Sequence, residues 1–285
     1  MNGEDPSAEL FLSPSGPERS PHRRSRKRFR HVPLRIVLPN LVTLLALCLG
    51  LTAIRFAVEG SFEKAVFAIL AAAVFDGVDG RLARALKGTT RFGAELDSLA
   101  DFVDFGVAPG VTLYFWNLHE VKSLGWFATM VFAIACALRL ARFNVGIDDP
   151  QKPSWASRFF TGMPAPAGAV VALLPLYLNL SSLDIVPLGR GAATVEIAFV
   201  LVVAALMASP LPHFSGKSIG RVPREYVILV LFMVAVLVLL LATFPMEMMA
   251  ALTIGYMASI PFAIRAHRGY VRRDTDAPPR GLESV

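Results

Sequence analysis

The stretch from Tyr226 to Pro245 carries no charged residue over 20 positions. At about 1.5 Å of rise per residue, a helix of that length crosses a hydrocarbon core about 30 Å thick. Similar apolar stretches recur along the chain and predict eight helical spans, at 36–57, 62–86, 92–117, 124–145, 163–181, 193–210, 226–244 and 247–266. A composition of 54% hydrophobic and 18% charged residues fits helices that face lipid and not water. The fold class expected is an all-α integral membrane protein.

The net charge of +6 does not point to nucleic acid, because the basic residues flank the apolar runs. Counted from an inside start, the even-numbered connections carry Lys87 and Arg91, then Arg142, Lys152 and Arg158, then Lys217, Arg221 and Arg224. Lys64, Lys122 and Arg190 are the main exceptions on the other side, and Arg265, Arg268, Arg272 and Arg273 return the C-terminus to the cytoplasm. Both termini are expected inside, with a bacterial inner membrane as the setting. Residues 1–33, rich in Ser, Pro, Glu and Arg, read as a disordered basic cytoplasmic tail, and 268–285 as a second tail. The first apolar stretch begins near Leu34 without a small-residue cleavage site, which predicts a retained anchor. Cys48 and Cys136 sit inside apolar runs and read as small core residues, with no disulfide or metal-ligand spacing. The chain shows no internal repeat, which weakens a transporter reading built on paired broken helices.

One segment breaks the apolar pattern: Asp76-Gly-Val-Asp79-Gly80-Arg-Leu-Ala83-Arg84, followed eight residues later by Gly93, then Asp97 and Asp101. An ionised side chain at membrane depth costs roughly 2.5–3.5 kcal/mol on the mildest insertion scale, so four of them require compensation. Asp76 and Asp79 are spaced i, i+3 on the second helix, and Asp97 and Asp101 i, i+4 on the third, so each pair shares a helical face. The Lys87–Arg91 turn predicts antiparallel neighbours whose carboxylate faces meet at the cytoplasmic end. Gly80, Ala83 and Gly93 leave room there for close approach. With neither Cys nor His in the cluster, oxygen ligands favour Mg²⁺ or Mn²⁺, and two such cations balance four carboxylates. Two metals can neutralise both the attacking and the departing oxygen of a displacement at phosphorus.

Residues 76–101 resemble the signature of the CDP-alcohol phosphatidyltransferase family, Asp-x2-Asp-Gly-x2-Ala-Arg-x8-Gly-x3-Asp-x3-Asp, with every position matched. The flanks Pro39-Asn40-Leu-Val-Thr43, Leu138-Arg139-Leu-Ala-Arg142-Phe-Asn144 and Phe160-Thr-Gly-Met-Pro164 are similar to its phosphatidylserine synthase branch. The resemblance implies a six-helix catalytic membrane domain over 34–210, with two further C-terminal transmembrane helices over 211–267 as an extension. It implies transfer of a phosphatidyl group from CDP-diacylglycerol to L-serine, two divalent cations held by Asp76, Asp79, Asp97 and Asp101, and Asp101 as general base. It places CDP-diacylglycerol contacts at Asn40, Thr43, Gly80, Ala83, Arg84, Thr90 and Gly93, and it suggests a homodimer.

Arg84 has independent support, since a guanidinium matches phosphate oxygens bidentately. For Asn40 and Thr43, an ordinary interhelical hydrogen bond is an equal alternative. Serine needs a cation for its carboxylate, which Arg139 and Arg142 can supply with Asn144 as a polar neighbour, although both arginines also serve as topology signals. Asp104 and Glu95 have no place in the signature and are expected to pair with nearby arginines. The cluster has no Ser, Cys or His nucleophile beside a base, which favours single displacement. Three rivals stand beside this reading: another acceptor (glycerol phosphate, inositol phosphate or choline), a cation transporter, and a scaffold whose aspartates only pair with Arg81, Arg84 or Arg91.

Overall fold

A computed structural model of the chain describes residues 34–147, 159–182, 185–214 and 224–275. The two tails up to residue 33 and beyond 275, with Lys152, Arg158, Lys217 and Arg221, lie outside the described residues. Among the described residues, ten α-helices carry the fold: α1 Leu34–Val58, α2 Phe62–Ala85, α3 Arg91–Asp101, α4 Ala108–Trp116, α5 Ser123–Ile147, α6 Ala165–Ala172, α7 Leu174–Leu180, α8 Arg190–Ala208, α9 Val227–Thr243 and α10 Pro245–Thr275. Two three-residue strands, Phe159–Thr161 and Pro212–Phe214, pair antiparallel. Four segments are long and apolar enough to cross a membrane by length and composition: Leu34–Val58, Ser123–Val145, Arg190–Ala208 and Pro245–Ala266. The protein is thus an integral membrane protein of essentially all-helical architecture.

Each predicted span corresponds to a helical rod, but two of the rods are broken, and proline is the reason. The rod expected at 92–117 runs as α3, then a π-helical stretch Phe102–Val107, then α4. Ala108 N–H donates to the Val103 carbonyl, five residues back, and Pro109 just beyond has no N–H with which to continue that register. The rod expected at 163–181 splits into α6 and α7 around Leu173, where Pro175 likewise lacks a donor. The helix that begins at Pro245 continues through Thr275, into the segment read from the sequence as the C-terminal tail.

Small residues set the packing. Ala46, Gly50, Ala53 and Ala57 line the buried edge of α1, and Ala65, Ala68 and Ala72 that of α2, so the two backbones pack extensively against each other. The antiparallel pairing expected of the second and third helices is only partial: α2 packs chiefly on α1 and meets the other rod at the π-helical stretch and α4. A larger core gathers Phe105, Leu113, Phe132, Leu173, Tyr177 and Met207, joined from α10 by Met246, Met249 and Ala250. No residue of α9 is buried. Cys136 is buried as expected, but Cys48 is exposed, because it lies off the small-residue edge by which α1 packs.

At the end of the bundle away from the acidic segment, Asn117 Nδ2 donates to both Glu196 carboxylate oxygens, at 2.9 and 3.0 Å, and its Oδ1 accepts from Gly189 N–H at 3.0 Å. This satisfied polar unit fastens the end of α4 to the start of α8, and nothing in the local sequence announces it.

Candidate active site

The turn between α2 and α3 orients the site. α2 ends with Gly88 N–H on the Ala83 carbonyl at 3.0 Å and Lys87 N–H on Arg84 at 3.2 Å, with Lys87 in the left-handed region at φ 51°. Gly88 comes up against the Arg35 carbonyl of α1, the group that Pro39 leaves without its helical donor, and a Cβ there would collide with it. Thr90 caps α3, its Oγ1 accepting from Gly93 N–H at 3.0 Å. A Cβ on Gly93 would stand 2.9 Å from Asn40 Oδ1 and 3.2 Å from Thr90 Oγ1, so glycine is what lets α1 and α3 close on this corner.

A cleft of ≈ 170 Å³ opens between these elements, more than ten times the roughly 10–15 Å³ that one water requires. All seven residues expected to touch the donor line it: Asn40, Thr43, Gly80, Ala83, Arg84, Thr90 and Gly93. Asp79, Asp97 and Pro39 join them, as do Gly88, Thr89 and Ala94, which sequence reasoning did not single out. The terminal nitrogens of Arg84 lie 3.8 and 3.9 Å from where a Gly80 Cβ would stand, so the guanidinium folds over the glycine at the cleft wall.

The four aspartates divide unequally. Asp76, Asp97 and Asp101 each present a carboxylate oxygen within 4.8 Å of the others. Asp76 and Asp101 approach to hydrogen-bonding reach, which two carboxylates tolerate only with a proton or a cation between them. Asp79 stands apart from this trio. Its Oδ2 accepts from Thr43 Oγ1 at 2.7 Å, while its Oδ1 is buried with no hydrogen-bond partner. An all-oxygen donor set of this kind suits a hard divalent cation. Among the described residues, no ion pair joins Arg81, Arg84 or Arg91 to any of the four, so the scaffold reading has no support in the geometry.

Arg139, half-buried on α5, stacks over the Phe143 ring at 5.5 Å and lies within electrostatic range of Asp101 and Asp76. Asn144 Nδ2 donates to Ser98 Oγ at 2.9 Å, tying α5 to the turn of α3 that carries Asp97. Arg142 is engaged elsewhere, donating to the Ala208 carbonyl at 2.7 Å, where it caps α8. None of the three lines the cleft.

The pairing expected of Asp104 and Glu95 with arginines is not found among the described residues. Glu95 is exposed. Asp104, only 1% exposed, faces Gly50 of α1 so closely that a Cβ there would collide with it, and its Oδ1 has no hydrogen-bond partner. It lies in the π-helical stretch, where the wider turn alters the side-chain spacing relative to Asp101.

Apolar membrane rods, a carboxylate trio fit for a cation and an adjoining cleft walled by a guanidinium together define an integral membrane protein built to handle a phosphorylated ligand. Residues 36–211 match the model of the CDP-alcohol phosphatidyltransferase family, and the chain belongs to that family. A relative from Mycobacterium bovis, named CDP-diacylglycerol–serine O-phosphatidyltransferase, is 39% identical over 81% of this chain and 79% of its own length. Relatives of the same name from Mycobacterium leprae and Helicobacter pylori are 38% and 32% identical, over 86% and 70% of this chain and 80% and 81% of their own lengths.

Proposed function

We propose that the protein transfers the phosphatidyl group of CDP-diacylglycerol to L-serine, giving phosphatidylserine and CMP. The observation that carries this reading is the single cleft in which the seven expected donor residues meet Asp79 and Asp97, beside the Asp76–Asp97–Asp101 trio. Relatives spanning most of the chain share one name, which supports serine over other alcohols as the acceptor.

The serine hydroxyl oxygen attacks the phosphorus bearing diacylglycerol. The new O–P bond forms as the P–O bond to CMP breaks, and the hydroxyl proton passes to an Asp101 carboxylate oxygen. Arg84 grips phosphate oxygens at the cleft wall, and Asn40 and Thr90 border the nucleotide side. Arg139 offers its charge to the serine carboxylate, with Arg142 and Asn144 on the same helix as its neighbours. Asp76, Asp79, Asp97 and Asp101 would hold two Mg²⁺ or Mn²⁺ ions, which when bound supply charge neutralisation at phosphorus.

For the whole chain we infer eight crossings, both termini and the site at the cytoplasmic face of a bacterial inner membrane, and a homodimer. The basic turns at Lys87–Arg91 and after Arg142 support that orientation. Residues 34–210 form the catalytic domain and 211–267 an extension.

Purified protein with CDP-diacylglycerol, Mn²⁺ and a panel of labelled alcohols tests the reaction by CMP release. Serine is expected to be the substrate, and release with another alcohol but not with serine would overturn the acceptor. Asp101→Asn should cut turnover by about 10²–10⁴ while keeping donor binding; unimpaired turnover would remove Asp101 as the base.

A further inference from the structure

We propose that Thr43 is a positioning residue which, by holding Asp79 apart from the other three aspartates, makes the two cation sites inequivalent. The inference rests on the metal-dependent reading above and deepens it. Thr43 is 5% exposed and Asp79 3%, so both side chains are buried at the base of the cleft they line. Thr43 Oγ1 has two acceptors within reach, Asp79 Oδ2 at 2.7 Å and the Pro39 carbonyl at 3.2 Å, but only one proton to give. The short, charge-assisted bond to the carboxylate takes it.

That bond engages one lone pair of Oδ2 and fixes the turn of the carboxylate, so that Oδ1 is the oxygen Asp79 presents with no hydrogen-bond donor on it. Oδ1 is buried and without a partner, an arrangement that costs stability unless a ligand completes it. Asp76, Asp97 and Asp101 already converge within 4.8 Å of one another without Asp79. The geometry therefore holds one carboxylate-rich site and a second, poorer site that depends on Asp79 keeping its orientation. Both Thr43 and Asp79 line the donor cleft, which sets the second site on the donor side. A methyl in place of the hydroxyl would release the Asp79 side chain to turn toward the trio or toward solvent.

The test uses full-length protein purified in detergent. Thr43→Val and Thr43→Ala remove the hydroxyl by two different shapes, and Thr43→Ser restores it. Mn²⁺ binding without lipid is followed by the free-ion electron paramagnetic resonance signal, and kcat and KM for CDP-diacylglycerol are measured separately. Val and Ala should weaken one class of bound Mn²⁺ by about tenfold or more and leave the other within about twofold. They should also lower kcat more than they raise KM, and Ser should recover both readouts. Mn²⁺ isotherms for Val and Ala that superimpose on the parent's would overturn the proposal, as would a Ser variant as impaired as Val. Asp97→Asn is measured in parallel: unchanged Mn²⁺ binding there sinks the metal reading itself, whereas a weakened Asp97→Asn beside unaltered Thr43 variants sinks only the role of Thr43.

Discussion

Arg84 shows how much can hang on one side chain. It reaches over Gly80 to the wall of the cleft, and no acidic group among the described residues forms an ion pair with it. A planar fork can hold two phosphate oxygens at once, and an ammonium group cannot reproduce that geometry. Arg84→Lys should therefore lower kcat/KM for CDP-diacylglycerol by about 10–100-fold, the equivalent of about 1.5–3 kcal/mol for a charged hydrogen bond. Initial-rate kinetics over a range of donor concentrations check this, and a loss under threefold would mean that Arg84 is only an interfacial anchor.

At the scale of elements, the turn between α2 and α3 carries both a liability and a support. Lys87 occupies a left-handed position at φ 51° that a glycine would adopt without a Cβ penalty. Its backbone bonds are already those of a well-formed helix cap, so Lys87→Gly should stabilise the protein by about 1 kcal/mol, read as a higher midpoint in a thermal melt in detergent. Catalysis should stay near the parent's, because Lys87 does not line the cleft. Thr90 does line it and also caps α3, so Thr90→Ala should both weaken donor binding and cost about 1 kcal/mol, while Thr90→Ser should keep the cap. A stability cost with unchanged donor KM would leave Thr90 as a cap alone.

At the scale of the whole molecule, α9 is the more apolar of the last two helices and yet the one that stays out of the core. Met246 and Met249 of α10 are 4% and 8% exposed and belong to the same core as Phe105 and Tyr177, whereas Leu231 of α9 is 63% exposed. Truncating Met249 to Ala should cost about 2–5 kcal/mol by opening a cavity, and Leu231→Ala should stay within about 0.5 kcal/mol. Thermal melts of the two variants decide this. Equal losses would show that α9 also packs within one protomer or against a second copy. By this measure α10 belongs to the core that supports the site, although the family match ends at residue 211.

The sequence by itself determined the membrane class, the places of the rods and seven residues that line one cleft. Lipid selects apolar composition over about 20 residues at a time, and the spacing of Asp76, Asp79, Asp97 and Asp101 is local to two helices and one turn. Only the tertiary structure decided how these parts face one another. Thr43 meets Asp79 across 36 positions, Asn117 meets Glu196 across 79, and Arg142 meets the Ala208 carbonyl across 66. The π-helical turn that carries Asp104 was not read from the sequence, although Pro109 just beyond it lacks the N–H that would continue a regular register. The physical reason is that helical periodicity fixes which residues share a face, while the partner of that face follows from close packing of small residues and from which buried donor finds which acceptor.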